Sequence, residues 1–468
     1  MRARSPLLPI FLIVLVDVLG LTIVIPLLPI YAERFGASPL VATLLSSCYA
    51  ACSLLSSPVI GRLSDHHGRR PLLLISQAGT LAGFLILAGA GSLLVVFVGR
   101  ILDGLTAGNL SLAQAYISDH TKPADRAKAF GIIGIAFGAG FMFGPAVSGQ
   151  LARFGLHVPF LAAAALSATS IICTYTLLPR EKPPGRDAHQ APVGGPIAAG
   201  GPGAAVAVAP AVAVAPAVAP AVAVAAVAPA GAAGAVTMSA ADAAGAAAEG
   251  PPPPAGRRVG VLDWQVYAEY FRRPRLPSLL AQFFLFQFAF SCFTQNFTLF
   301  AERRFTHHGH PWGPTEVGWL FAYTGFLGVI IQGGLIGRLV KRFGEARLVV
   351  AGFLATAVAY VGLGLTFSLD PLIAVATVAA FGNGVLRPSL TSRITRAVGR
   401  HEQGVVLGIS QSLAAIAMTL APPTGGVLID QAPRGQGWMI AWACVCAAVS
   451  AIAFAVSLRG RLAPEPAG

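Results

Sequence analysis

Charged side chains are scarce in this sequence. Of its 468 residues only 11% are Asp, Glu, Lys or Arg, and 55% are hydrophobic. Soluble domains, by contrast, carry about 25% charged residues. The mean hydropathy of +0.71 agrees with this bias. The composition therefore excludes a water-soluble globular protein and indicates a chain that lies in lipid.

Signatures of catalysis and of cofactor binding are also missing. No Walker-type phosphate-binding loop occurs, which excludes ATP hydrolysis as the energy source. No loop gathers a set of catalytic groups, so an enzyme has little support. His307, His308 and His310 lie close together, but they fall in a predicted loop and are interpreted as solvated side chains. We therefore expect no metal site and no cofactor.

Cysteine is rare, and its spacing offers no disulfide or zinc framework. All six cysteines fall inside apolar stretches and are interpreted as small buried residues: Cys48, Cys52, Cys173, Cys292, Cys444 and Cys446. The net charge of +13 could suggest nucleic acid. However, Lys and Arg lie in short loops between apolar stretches, which is the pattern of membrane topology signals. We expect no nucleic-acid partner.

Long apolar stretches recur along the chain. A helix needs about 20 apolar residues to cross a bilayer, and only helices or closed barrels satisfy their backbone there. The stretches lack the two-residue alternation of a barrel strand. We predict an all-α membrane protein with twelve transmembrane helices in two pseudo-symmetric six-helix halves. The spans lie at about 6–31, 39–62, 71–91, 93–119, 128–151, 157–178, 276–301, 314–337, 346–367, 371–398, 404–429 and 437–458.

A low-complexity segment separates the halves. Residues 183–260 are rich in Ala, Val, Pro and Gly, and recurrent proline would leave backbone groups unsatisfied in lipid. We predict a disordered cytoplasmic linker there, a first half at 1–182, and a second half at 261–468 that opens with a short interfacial helix over Val261–Arg275. The positive-inside rule then places both termini in the cytoplasm, because a span in the linker would move the second half's basic loops outside.

The loop between the second and third spans reads GRLSDHHGRRP, residues 61–71. Its glycines permit a tight turn, and its arginines hold it in the cytoplasm. Asp65 could pair with Arg69 or Arg70, or face the N-terminus of another span, and so latch one conformation. Alternatively, the loop is only a topology anchor. GRLVKRFGEAR between spans eight and nine, and the pair GPAVSG and APPTGG in spans five and eleven, indicate an internal repeat.

This loop resembles the G-x-L-x-D-x-x-G-R-R motif of the major facilitator superfamily. Three further strings resemble motifs of its twelve-span drug/proton antiporter branch. The matching residues are Gly61, Asp65, Gly68, Arg69 and Arg70 in the loop; Asp17 to Gly20 and Pro26 to Pro29 in span one; Arg100, Asp103 and Gly104 in span four; and Gly131, Gly140, Gly144, Pro145 and Gly149 in span five. The resemblance implies two halves that rock about a central cavity, with span five between them.

Within that branch the chain is similar to tetracycline/proton antiporters of the Tet type, through SDHHGRRP, FAERRF and KRFGE. It departs from them at three positions. The acidic residues of their third and ninth spans fall on Gly83 and Thr356, and a histidine of their eighth span falls on Gly328. Tetracycline is therefore only one candidate among amphiphilic drugs and metabolites.

Asp17 and Asp103 are the only carboxylates well inside the predicted spans. A carboxyl in lipid is costly when charged, which suits proton uptake and release. Arg100 precedes Asp103 by three residues and shares its helix face. Either the two form a fixed pair, or Arg100 modulates carboxyls that titrate during transport. We favour Asp17 as the proton carrier because its own helix offers no partner. Asp103 is the second candidate, and a structural role for both the third.

Other polar residues in the spans could line a substrate cavity, although many such side chains only bridge helices. They are Asn109, Gln114, Gln287, Gln295, Asn296, Gln332, Asn383, Arg387 and Gln411. The expected function is proton-coupled efflux of a drug-like or amphiphilic small molecule across the cytoplasmic membrane by alternating access, performed by a monomer in contact with lipid. The alternatives are uptake or symport of a small metabolite, and a non-transporting receptor or scaffold.

Overall fold

The computed structural model describes residues 7–120, 126–178, 269–399, 402–435 and 437–462. The predicted linker at 183–260 lies outside these residues, and so does most of the predicted interfacial helix. Of that helix only residues 269–275 are described, and they are helical as far as Arg272.

The described chain is almost entirely helical. In the first half the helices are α1 (Leu7–Val24), α2 (Leu28–Glu33), α3 (Pro39–His67), α4 (Arg69–Ala88), α5 (Leu93–Leu105), α6 (Asn109–His120), α7 (Arg126–Leu151) and α8 (Val158–Leu177). In the second half they are α9 (Leu276–Arg304), α10 (Pro314–Ile330), α11 (Ile336–Phe343), α12 (Glu345–Leu365), α13 (Leu369–Arg396), α14 (Gln403–Asp430) and α15 (Gly437–Leu462). A π-helical segment, Ile331–Leu335, joins α10 to α11.

The helices confirm the predicted all-α membrane fold. Within the described residues, ten helical stretches are long and apolar enough to cross a membrane, and Ile10–Val24 forms a shorter apolar helix. The predicted fifth span corresponds to α7. Each of the twelve predicted spans therefore coincides with helical structure.

Two predicted spans are interrupted rather than continuous. The first breaks between Val24 and Leu28, where Pro26 and Pro29 cannot donate backbone hydrogen bonds. The fourth breaks between Leu105 and Asn109. Backbone groups freed inside lipid need partners.

Ser76 of α4 supplies those partners at the second break. Its hydroxyl donates to the carbonyl oxygen of Thr106 and accepts the N–H of Gly108 at 2.9 Å. One side chain on a neighbouring helix thereby satisfies both backbone groups, and this allows span four to turn in the middle of the bundle.

Six spans in each half bring both ends of that half to the same side of the membrane. We call this the linker side and the opposite one the far side. The far side carries a small antiparallel hairpin, β1 (Thr306–His307) and β2 (His310–Pro311), which the sequence did not predict.

Matching loops on the linker side support the internal repeat. Gly68, between α3 and α4, has φ 89° and ψ 153°, and Gly344, between α11 and α12, has φ 76° and ψ 153°. Positive φ favours glycine because a side chain would be strained there. The two halves therefore use one backbone conformation at corresponding turns.

Glycines bring the backbones of the two halves into contact. The contacts begin at the far side and continue towards the middle of the bundle. A Cβ placed on Gly149 of α7 would lie 2.7 Å from the carbonyl oxygen of Pro314 and 2.8 Å from Cα of Thr315, at the start of α10. The hydroxyl of Thr315 donates to the carbonyl of Gly149 at 2.8 Å. Further along, Gly318 packs on Pro145. Small residues permit such close helix packing.

A second, symmetry-related seam joins α3 to α14. Gly426 of α14 packs against Thr43 of α3, so that no side chain would fit at that glycine. At the far-side surface the Arg303 guanidinium forms a salt bridge with Glu33, with Nη2 and Oε1 2.5 Å apart. These contacts close the far side of the helical bundle in this conformation.

Residues 269–275, which precede α9, are held at the linker-side end of α14. Arg273 makes two hydrogen bonds of 2.6 and 2.7 Å to the carboxylate of Glu402. These bonds hold the pKa of Glu402 below its ordinary value. The pair is partly exposed, so we assign it a positioning role and little stability.

Replacing Gly149 by Val should disturb the far-side seam. The added side chain would press on backbone atoms of α10, and overpacking of this kind typically costs about 1–3 kcal/mol. We expect the far-side-closed conformation to be depleted. The measurement is labelling of a cysteine introduced at Ser46, in a cysteine-free background, by an impermeant thiol reagent applied from the far side.

Gly328→Val is the matched control, since a Cβ at Gly328 meets no atom within 4 Å. Labelling of the Gly149→Val protein should rise above that of the control. Equal labelling of both variants would show that the seam does not set the closed conformation.

Candidate functional site

Asp17 lies on α1, about 15 Å along the helix from its linker-side end. The polar side chains that face its carboxyl are Ser170 of α8 and Gln77 of α4. These two are hydrogen-bonded to each other, with Nε2 and Oγ 2.7 Å apart. In the described part of the chain no cation pairs with Asp17. It is therefore a carboxyl inside the first half whose charge no neighbouring charge balances.

Asp103 has the opposite environment. Its Oδ2 lies 2.8 Å from Nη1 of Arg100, and both side chains are buried. The guanidinium of Arg100 also stacks over the ring of Tyr49, 4.2 Å from its centroid. Such an arrangement neutralises both charges within the protein. The geometry favours the fixed pair over a titrating carboxyl at position 103.

Packing around Asp103 accounts for the glycine in span three. A Cβ at Gly83 would stand 2.9 Å from Cβ of Asp103 and 3.1 Å from the carbonyl oxygen of Gly99. An acidic side chain at position 83 would therefore compete with Asp103 for the same space. In span nine, Thr356 is buried, and its hydroxyl donates to the carbonyl of Phe353 at 3.0 Å.

The loop motif makes contacts within its own half. Arg69 donates to the hydroxyl of Ser64 at 2.6 Å. Arg70 donates to the carbonyl oxygen of Tyr175 in α8 at 2.6 Å and lies over its ring. The side chain of Asp65 lies outside the described residues, so the predicted latch remains a prediction. Gly61 lies within α3, where an added Cβ would meet no atom within 4 Å, so the predicted turn lies at Gly68 and not at Gly61.

The glycine motif of span five serves two interfaces. Gly140 and Gly144 pack on α1, where the hydroxyl of Thr22 donates to the carbonyl of Gly140 at 2.9 Å. Pro145 and Gly149 face α10 of the other half. Only the helical backbone of Gly131 is described. The resemblance implied that span five lies between the halves. Pro145 and Gly149 do lie there, whereas Gly140 and Gly144 pack within the first half.

Two of the predicted cavity residues instead bridge helices. Gln295 accepts a hydrogen bond from Ser46 across the two halves at 3.0 Å. Asn296 is buried and donates to the carbonyls of Cys292 and Pro422 at 2.8 and 3.1 Å. Their amides stabilise the far-side closure and the contact between α9 and α14.

Other predicted cavity residues keep unused hydrogen-bonding capacity. The side-chain oxygens of Asn109, Gln287 and Asn383 are buried and have no hydrogen-bond partner among the described residues. Gln332 lies in the π-helical segment, and the remaining half-buried residues are Arg387 of α13 and Gln411 of α14. The side chain of Gln114 is outside the described part.

Several of these partners are not predictable from the sequence. The salt bridge between Glu33 and Arg303 joins residues 270 positions apart. The string FAERRF contains Arg303, but nothing in it points to Glu33. In the sequence, Gln77 and Ser170 are polar residues inside apolar spans. That pattern is a signal from which they could be predicted as neighbours of Asp17.

The comparisons with known proteins agree with this architecture. A model of the Major Facilitator Superfamily matches residues 10–311 and 305–468. The chain belongs to the major facilitator superfamily. This confirms the family and the fold that the motifs predicted.

Curated relatives also confirm the predicted Tet-type resemblance. The class B tetracycline resistance protein of Escherichia coli is 25% identical over 460 residues, which cover 97% of this chain and 96% of the relative. The class C tetracycline resistance protein of the same organism is 28% identical over 432 residues, with 92% and 90% coverage.

Solved structures share the fold. The human organic anion transporter MFSD10 (TETRAN) matches with a TM-score of 0.61 and 21% identity, covering 98% of this chain and 100% of that one. The nucleoside transporter NupG matches with a TM-score of 0.68 and 12% identity, covering 97% and 100%. At these identities the likeness establishes a major facilitator fold and nothing about the cargo.

The buried pair in this major facilitator protein can be tested by a double-mutant cycle. Asp103→Asn alone should leave the Arg100 charge buried without a partner, and breaking such a pair typically costs about 3–5 kcal/mol. The double variant Arg100→Gln/Asp103→Asn should recover most of that loss. The measurement is thermal unfolding of the purified full-length protein in detergent.

If the double variant were as unstable as the sum of the two single variants, the residues would act independently. The fixed-pair assignment would then be wrong.

Proposed function

We propose that this protein exports a drug-like or amphiphilic small molecule across the cytoplasmic membrane in exchange for protons, by alternating access of its two halves. The observation that carries the proposal is the unbalanced carboxyl of Asp17 within a major facilitator fold. The similarity to tetracycline resistance proteins supports efflux as the direction.

The proton step is assigned to Asp17 because a charged carboxyl in a low-dielectric interior is costly without a cation nearby. Protonation removes that cost, whereas Asp103 is already neutralised by Arg100. Ser170 and Gln77 can hydrogen-bond to either protonation state of the carboxyl, since a hydroxyl and an amide can both donate and accept. Asp17 therefore has the surroundings of a reversible proton carrier.

Alternating access requires that the far-side seams open and close. The glycines of the α7–α10 and α3–α14 seams let the two halves fit closely, and each half moves as one body when the seams separate. The salt bridge between Arg303 and Glu33 adds a polar contact that water can replace when the seam opens. Proton loading and cargo loading then favour opposite-facing conformations.

In this proposal the linker side faces the cytoplasm, in agreement with the concentration of Lys and Arg in its loops. The protein acts as a monomer surrounded by lipid. Uptake of a small metabolite with protons is the alternative, and it predicts the opposite direction of cargo movement in the same vesicles.

Asp17→Asn should abolish proton-driven export, because the amide cannot take up and release a proton. Wild type and variant are first compared in a pump-deficient bacterium against a panel of amphiphilic antibiotics. Inverted vesicles are then energised, and dissipation of the proton gradient on addition of an exported compound is recorded. Wild type should dissipate the gradient, and the variant should not.

Asp370→Asn removes an exposed acid at the far-side start of α13 and is the control for lost charge. Both variants should reach the membrane in equal amounts. Retained proton-coupled export by the Asp17 variant would refute the assignment of this residue, and a response of opposite direction in the wild type would favour uptake.

A further inference from the structure

The second half contains an intramembrane cation that nothing in the described structure balances. Arg387 lies on α13, about 14 Å along the helix from the linker-side end at Arg396. Among the described residues no carboxylate and no hydrogen-bond acceptor pairs with its guanidinium. The acidic residues of the second half's described spans lie near helix ends, remote from this depth.

The helix geometry directs Arg387 away from lipid. At 100° per residue, the exposed positions in the far-side half of α13 are centred about 120° from Arg387. One flank of α13 packs on α12, where Leu386 would lie 2.8 Å from a Cβ at Gly352. The other flank packs on the π-helical segment, where Ile331 would lie 3.0 Å from a Cβ at Gly384. Arg387 points between that segment and the bundle interior.

Two side chains with unused acceptor oxygens lie near the same depth. Asn383 is one turn from Arg387 on the same side of α13, and its buried Oδ1 has no hydrogen-bond partner in the described chain. Gln287 of α9, also with a partnerless Oε1, lies about 16 Å from the linker-side end of its helix. The π-helical segment beside them is a geometry that occurs frequently at functional sites.

A guanidinium within a membrane-spanning helix is costly unless a counter-charge, hydrogen-bond acceptors or cavity water offset its desolvation, and such a residue marks a functional site by default. The described residues supply no counter-charge for Arg387, and an anionic group on a bound molecule would supply one. We propose that the transported molecule carries an oxyanion, such as a carboxylate or sulfonate, which Arg387 binds through paired N–H···O contacts. Asn383 and Gln287 then accept hydrogen bonds from a donor group on the same molecule. This inference rests on the proposed transport function and adds the charge class of its cargo.

The test uses three probes with one ring system and different head groups: 2-naphthylacetate, 2-naphthylethanol and 2-naphthylethylamine. Each is titrated against the purified full-length protein in detergent, and the shift in Tm is recorded. The carboxylate should raise the Tm of the wild type more than the alcohol or the amine does. In Arg387→Gln its affinity should fall about tenfold or more, the loss expected for a hydrogen bond to a charged group.

Two further variants distinguish binding from a structural role. Arg387→Lys should retain part of the preference for the carboxylate, because it keeps the charge but not the bidentate geometry. Arg434→Gln, an exposed far-side change of the same charge, should leave binding unchanged. Without any probe, Arg387→Gln should be at least as stable as wild type, since it removes an unbalanced charge.

A lower Tm of unliganded Arg387→Gln would show that the guanidinium is paired within the protein and would overturn the inference. Equal binding of the carboxylate to wild type and Arg387→Gln, or stronger binding of the alcohol or amine, would also overturn it. If neutral or cationic compounds are exported in an Asp17-dependent manner, export stands and only the anionic cargo is refuted. Absence of any binding and any transport across the panel would refute both.

Discussion

Lipid neither solvates charge nor supplies hydrogen bonds, and this constraint orders the functional groups of the bundle. Arg100 and Asp103 meet it by pairing inside the first half. Asp17 and Arg387 have no oppositely charged partner among the described residues. A charge that the fold leaves unbalanced is one that a proton or a cargo can balance for part of a cycle. The division between paired and unpaired charges therefore separates structural groups from those proposed to take part in transport.

The two unbalanced groups lie in different halves. Glycines form close contacts in the seams between these halves. Asp17 sits between helices of the first half, beside Gln77 and Ser170, whereas Arg387 belongs to the second. Close contacts at Gly149 and Gly426 make the far-side closure tight, and the salt bridge between Arg303 and Glu33 adds to it. Protonation of Asp17 in the first half and binding of cargo in the second half can therefore shift the same equilibrium between the two facing conformations. Each of them changes the free-energy cost of burying a charge as the halves move.

Much of the fold follows from local sequence, but the pairings do not. Long apolar stretches predict the spans, and glycine followed by basic residues predicts the turn at Gly68. The break before Asn109 depends on Ser76 of another helix, and the salt bridge of Arg303 depends on a residue in the other half. Even the glycine at position 83 is explained only by the proximity of Asp103. These features require knowledge of which helices are adjacent, which hydropathy does not contain.

The central claim is that one intramembrane carboxyl, Asp17, gains and loses a proton while Asp103 stays ionised beside Arg100. Infrared difference spectra of the protein in lipid, recorded between acidic and alkaline pH, test it directly through the C=O band of a protonated carboxylic acid. We predict that the band of a protonated intramembrane carboxylic acid is present in the wild type and in Arg100→Gln/Asp103→Asn, and is missing in Asp17→Asn. A band that survives in Asp17→Asn and disappears in the double variant would contradict the account.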